Sequence, residues 1–196
     1  MQATQIDINT GTVEYSNIRD KAMAENVKWL AEEAFPGEKI ALWAHNSHIA
    51  AAQEGKGPVP MGWHLRQMFG EQMRVLGFAF DRGQVYHIPF GPSGPDPSKA
   101  MAVKVPPASP MSAEAVLRAA GLPRFILDLR TVPAAGPLGA WIAEPQRLRT
   151  MGWGGEPHDD PASAYPMVAT YGTLVLPKAF DALVYIAESS ATVPLK

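Results

Sequence analysis

Apolar residues along this chain fall into two arrangements, stripes at helical spacing and short unbroken blocks, and the two alternate from Arg19 onward. Met23, Val27, Leu30 and Ala34 recur at one side of a helical wheel, which predicts an amphipathic helix over residues 19–35, ended by Pro36-Gly37. The block at residues 40–44, Ile-Ala-Leu-Trp-Ala, has no polar interruption and predicts a strand buried on both faces. A polar loop with Gly55, Gly57, Pro58 and Pro60 follows, of the kind that moves over a site. Met61, Leu65 and Met68 then mark a short helix closed by Gly70. Residues 75–80 predict a second strand, and residues 85–88 a hairpin partner returning after Asp81-Arg82-Gly83.

Beyond this point the pattern loosens. Residues 89–110 are dense in proline and glycine and read as an ordered or partly mobile excursion within one domain rather than a linker. Ser109-Pro110 has the form of a helix start, with Gly121 as its stop, and residues 125–129 predict a third strand. A loop-rich stretch over residues 132–167 precedes the last apolar segments, 173–176 and 183–186. The alternation predicts an α/β fold, a three-layer sandwich with a partly parallel, mixed central sheet, spanning residues 1–196 as a single domain.

Composition narrows the chemistry. With 196 residues, 46% of them hydrophobic, the chain can bury one sizeable core. A formal net charge of −2 with no basic cluster argues against nucleic acid as a partner, and no apolar run reaches membrane-spanning length. The first residues carry neither a basic region nor an apolar stretch, so no signal peptide is expected, and the lack of cysteine fits a cytoplasmic protein without disulfides.

Candidate chemistry gathers at Trp43-Ala44-His45-Asn46-Ser47-His48. His45 and His48 would leave the carboxyl end of the 40–44 strand, the edge of an open sheet where ligands collect, and an imidazole there can exchange protons near neutral pH. Water activation, metal ligation and loop capping are all open to such a pair. Without cysteine or a His-Glu-x-x-His run, no metal centre is expected. Ser47 lacks the Gly-x-Ser-x-Gly elbow of a nucleophile, and Gly91-Pro92-Ser93-Gly94 imitates it only inside a proline-rich loop. Asn46 has the chemistry of an oxyanion donor, though asparagine after a strand equally suits a left-handed turn. His64 reads as half-buried on its helix, and Trp43 and Trp63 offer apolar walls, core packing being the expectation for Trp43.

Taken in order, these residues carry a resemblance. Arg19-Asp20 with Met23-Ala24-Glu25-Asn26 and Trp29, the Trp43 to His48 run, Met61-Gly62-Trp63-His64-Leu65, the 75–80 block, Ala120-Gly121-Leu122-Pro123, Arg149-Thr150-Met151-Gly152 and the closing Phe180-Asp181-Ala182-Leu183 together resemble the erythromycin esterase family. The resemblance implies an α/β/α fold and hydrolysis of a macrolide lactone or another carboxylic ester, linked to the response to antibiotic, with no cofactor. It implies that His45 and His48 line the active cleft and orient or polarise the substrate; Asn46, Trp63 and His64, read from their own chemistry, are the candidate substrate contacts. The family's Leu-Gly-Glu-x-x-His-Gly segment, which would supply the water-activating base, is not found here; Gly155-Glu156-Pro157-His158 is a chance near miss. The chain therefore resembles the C-terminal half of the family domain, with a sheet incomplete relative to it. That predicts self-association or a partner chain supplying the missing half, and a noncatalytic ligand- or partner-binding role as the alternative. A metal-dependent hydrolase built on His45 and His48 ranks last.

Overall fold

In a computed structural model, residues 13–53, 55–91, 94–150 and 170–192 are described. Helix α1, Val13–Trp29, runs on through a π-helical turn, Leu30–Ala34, before Pro36 and Gly37 end it. A four-residue helix α2, Asn46–Ile49, and helix α3, Met61–Phe69, follow. Strand β1, Leu76–His87, is the longest strand of the sheet; the small β2, Phe90–Gly91, and β3, Gly94–Pro95, form a ribbon after it. Then come β4, Met101–Val105; α4, Ala113–Arg118; β5, Arg124–Asp128; α5, Pro137–Ala143; β6, Gln146–Thr150; β7, Thr170–Leu174; α6, Leu176–Ala179; and β8, Ala182–Ser189.

The main sheet has the order β4-β1-β8-β5. β1 and β8 pair parallel, with Phe78 opposite Val184, whereas β4 on β1 and β5 on β8 are antiparallel. The sheet is thus mixed, with helices on both sides, as the alternation predicts. Side chains alternate along β1: Ala79 and Asp81 point into the interior while Leu76 and Phe78 point outward. On the inward face Leu183, Tyr185, Leu176, Phe180, Leu117, Ile142 and Leu148 form the main core. Fully burying one such leucine stabilises the fold by roughly 1.5–3 kcal/mol. A smaller cluster of Ala24, Met61 and Leu65 packs α1 on α3 and reaches the main core through Ile49 and Met73. Asp181 ties the two together, its carboxylate accepting from Arg66 of α3 and from the Val75 amide, each at 2.7 Å.

Five expectations are corrected here. Residues 40–44 form no strand: the segment is extended but unpaired, and Trp43 is 86% exposed rather than packed in the core. A continuous apolar block signals burial only when backbone partners exist on both sides, and among the described residues this segment pairs with none. The hairpin expected at Asp81-Arg82-Gly83 is absent, because β1 continues straight through it. Gly83 stands opposite both Ser189 of β8 and Val105 of β4, where β1 exchanges one neighbour for the other; its φ of +132° and the Ser189 carbonyl lying where a Cβ would go require glycine. The return strand is instead β4, from inside the proline-rich 89–110 excursion. The loop-rich 132–167 stretch holds α5 and β6, Pro137 serving as a helix start. Helix α4 also begins later than Ser109-Pro110, with Ser112 at its N-cap position and the Ser112 hydroxyl donating back to the Ser109 carbonyl at 2.8 Å.

Candidate functional site

Asp20 sits on the buried face of α1, 3% exposed, on the same stripe as Met23, Ala24 and Val27. A carboxylate taken out of water needs donors, and here they come from two other helices. The amide of Met61, in the first turn of α3, donates to Oδ2 at 3.0 Å, so the positive end of that helix faces the acid. His48, from α2, brings Nδ1 to 2.9 Å from Oδ2 and 3.0 Å from Oδ1. Arg19 places Nη1 3.2 Å from the other ring nitrogen, Nε2, and 3.6 Å from Asp20 Oδ1. One buried carboxylate thus joins α1, α2 and α3 around a single imidazole.

The neighbouring motif residues do different work. His45 is the N-cap of α2: its Nδ1 accepts from the Ser47 amide at 3.2 Å, and the Ser47 hydroxyl lies 2.8 Å from the same nitrogen. Asn46 is helical rather than left-handed, and its side-chain amide brackets Phe78 of β1, donating to the Phe78 carbonyl at 2.6 Å and accepting from its amide at 3.0 Å. A side chain here makes the two bonds that a neighbouring strand would make, anchoring α2 to the outer side of β1.

Beside His48 opens a cleft of about 230 Å³. Ser16 and Asp20 of α1, Asn46 and His48 of α2, Pro58 of the polar loop and Leu148 of β6 are among its walls. That loop is tied down by the Val59 amide donating to Asn17 at 2.7 Å and by Gln53 donating to the Gly57 carbonyl at 2.6 Å. His45, Trp63 and His64 are not among the lining residues; Trp63 and His64 stack edge-on, 5.1 Å apart, on α3. The structure therefore brings His48, Asn46 and Ser47 to the cleft, and Asp20 with them. Sequence reasoning counted Asp20 only among the residues that carry the resemblance and gave it no role in a site. Its signal was available: an acid in phase with an apolar helical stripe.

The opposite wall is held by a second polar cluster. Asp81, fully buried, accepts from Arg118 at 2.6 Å and from the Ala108 amide at 3.1 Å. Arg149 of β6 donates to the carbonyls of Asp81 and Pro106 at 3.0 and 3.1 Å, and its own amide donates to Glu114 Oε1 at 2.7 Å. Glu114 Oε2 is buried without a hydrogen-bond partner, and burial pushes this carboxyl above the usual carboxylate range. Among the described residues, no group of three or more His, Cys, Asp or Glu is placed to hold a metal ion, and no helix is long and apolar enough to cross a membrane. Gly155-Glu156-Pro157-His158 lies outside the described residues.

A family model described as erythromycin esterase matches residues 2–189. The putative hydrolase YbfO of Bacillus subtilis (strain 168) is 28% identical over 146 residues, which is 69% of this chain and 30% of that protein. Among solved structures, a succinoglycan biosynthesis protein is similar with a TM-score of 0.70 at 21% identity, over 89% of this chain and 39% of that one. A Bacillus cereus protein aligns with a TM-score of 0.67 at 25% identity, over 94% of this chain and 41% of its own. An erythromycin esterase EreC mutant in its open conformation aligns at 0.53 and 24% identity, over 88% and 37%. The chain spans less than half the length of each of these relatives.

Proposed function

The chain belongs to the erythromycin esterase family, and from that premise we propose that it takes part in hydrolysing a macrolide lactone or another carboxylic ester, a reaction linked to the response to antibiotic and carried out in the cytoplasm. The observation that carries this reading is His48, at the wall of the cleft with one ring nitrogen fixed by a buried carboxylate. Ester hydrolysis needs a group to manage the proton of the attacking water and a donor for the developing oxyanion. A positioned acid or base typically contributes ~10²–10⁴-fold. In this reading His48, which the resemblance casts as orienting or polarising the substrate, acts on the proton in the role that the resemblance gives to the Leu-Gly-Glu-x-x-His-Gly segment, and His45 supports it by capping α2, the helix on which His48 sits. Trp63, His64 and Asn46 are second in line as substrate contacts, since the first two stand away from the cleft and the third is engaged by Phe78.

Incubation with erythromycin, followed by mass spectrometry for the ring-opened product, tests the proposal. His48→Ala should lower turnover about 10²-fold or more, and should also lower the thermal midpoint, because it takes a donor from the buried Asp20 carboxylate. His45→Ala should lower both turnover and stability, the latter by about 1 kcal/mol, the usual cost of a lost cap. Turnover indifferent to His48→Ala would end this reading.

A second reading has its own observation. Leu76, Phe78 and Ile126 share the outward face of the main sheet, and Trp43, against Phe78, is exposed beside it. A noncatalytic chain that binds a partner, or a second copy of itself, would cover that surface. Little or no hydrolysis by this chain alone, with association retained, would favour it.

A further inference from the structure

We infer that Asp20 is a positioning residue that locks His48 in the tautomer carrying its proton on Nδ1, so that His48 meets the cleft chemistry as a proton acceptor, and that Arg19 is a latch over the accepting nitrogen. The inference deepens the hydrolase reading and rests on His48 belonging to that site. Its warrant is the count of donors around one ring. Arg19 is a guanidinium, always protonated and able only to donate, and its Nη1 stands 3.2 Å from Nε2. Nε2 must then present its lone pair. The ring proton belongs to Nδ1, where both carboxylate oxygens of Asp20 are within 3.0 Å. The Met61 amide, donating to Oδ2 at 3.0 Å, holds that carboxylate from the far side and prevents it from turning away. Asp20 is nearly inaccessible, so water does not compete for these bonds.

Two consequences follow. With Nδ1–H committed to Asp20, a neutral His48 has no second proton with which to polarise a carbonyl. It can take one from water at Nε2, while the water oxygen bonds to the carbonyl carbon and the carbonyl electron pair moves onto its oxygen. When that intermediate expels the alkoxide, the proton on Nε2 is returned to it. The resting contact with Arg19 occupies the same lone pair, so Arg19 must move aside before His48 can act. Its side chain is 45% exposed and already lies 3.6 Å from Asp20 Oδ1, so the guanidinium has room to leave the ring and a carboxylate to stay with. Protonated His48 would donate from both nitrogens and repel the guanidinium, which makes ring charge and latch position mutually exclusive.

The test is the ring itself, read by long-range proton–nitrogen correlation spectra of the ¹⁵N-labelled chain at alkaline pH. In the native chain Nδ1 of His48 should resonate as a protonated, pyrrole-type nitrogen and Nε2 as a pyridine-type one. In Asp20→Asn the Met61 amide holds the amide oxygen, the amide NH₂ stands near Nδ1, and the preference for one tautomer should weaken, the two nitrogen resonances moving towards each other. In Arg19→Ala the tautomer should persist while Nε2 shifts through loss of its donor. A pyridine-type Nδ1 in the native chain would overturn the inference, as would a tautomer that flips in Arg19→Ala. Because the native chain and Arg19→Ala suffice, misfolding of Asp20→Asn would not shelter the claim. Failure of hydrolysis with the tautomer as described would strike the hydrolase reading and leave the positioning role standing.

Discussion

Glu114 holds one carboxylate oxygen against the Arg149 amide and buries the other without a hydrogen-bond partner, inside a region that also contains Asp81, Arg118 and Tyr185. Burial raises its pKa in the folded chain above that of the unfolded chain. The folded state therefore holds this proton more tightly, and stability on this account falls as pH rises from the unfolded pKa through the folded one, remaining lower above it. Glu114→Gln keeps the acceptor for Arg149 and removes the ionisation. Its denaturation midpoint should depend less on pH than the native chain's across the weakly acidic range, with the variant relatively more stable at neutral pH; parallel profiles for the two proteins would refute this. The residue scale is also where the sequence was least informative about the site. His45 and His48 stand out by spacing, yet spacing cannot tell a ring that caps a helix from one held by a buried acid. That difference is made by Asp20, which lies 28 positions away from His48 in the chain.

At the scale of elements, β5, β8 and the first half of β1 were legible because each is a short apolar block flanked by polar residues or breakers, and such a block is buried wherever its neighbours are present. Residues 40–44 show the other side of the same rule. Their pattern is that of a central strand, but pairing is decided by partners that a local pattern does not contain, and the structure leaves them extended and exposed. Helix α5 and strand β6 were hidden by the prolines and glycines around them, Pro137 in fact opening the helix. Gly83 was taken as a turn residue because Asp-Arg-Gly usually punctuates, whereas its lack of a side chain serves close passage between β8 and β4. Gly83→Ala should thus destabilise the chain by about 3 kcal/mol, the upper end of the cost of a strained backbone position, with the loss read from urea midpoints. A neutral substitution there would show that the strand can shift to accommodate a Cβ.

Over the whole molecule, burial is lopsided. The inward face of the sheet is closed by α4, α6 and the β6–β7 pair, while Ile126, 67% exposed, Leu76, 50% exposed, and Phe78 look outward with Trp43 stacked beside them, its ring 5.4 Å from that of Phe78. A contiguous apolar surface of this kind seldom stays in water. In light scattering the chain should run larger than a monomer, and Ile126→Lys should shift it towards one; a compact native monomer with robust ester turnover would show that the surface needs no cover and the site no further part. The bracket of Asn46 on Phe78 bears on this in a different currency, that of time. An amide proton given to a neighbouring strand exchanges with solvent only when the sheet opens, but the Phe78 proton is given to a side chain on a four-residue helix. Its exchange is set by how often α2 lifts from β1, so a single amide on the edge of β1 that β4 leaves uncovered keeps the clock of the helix that carries His48.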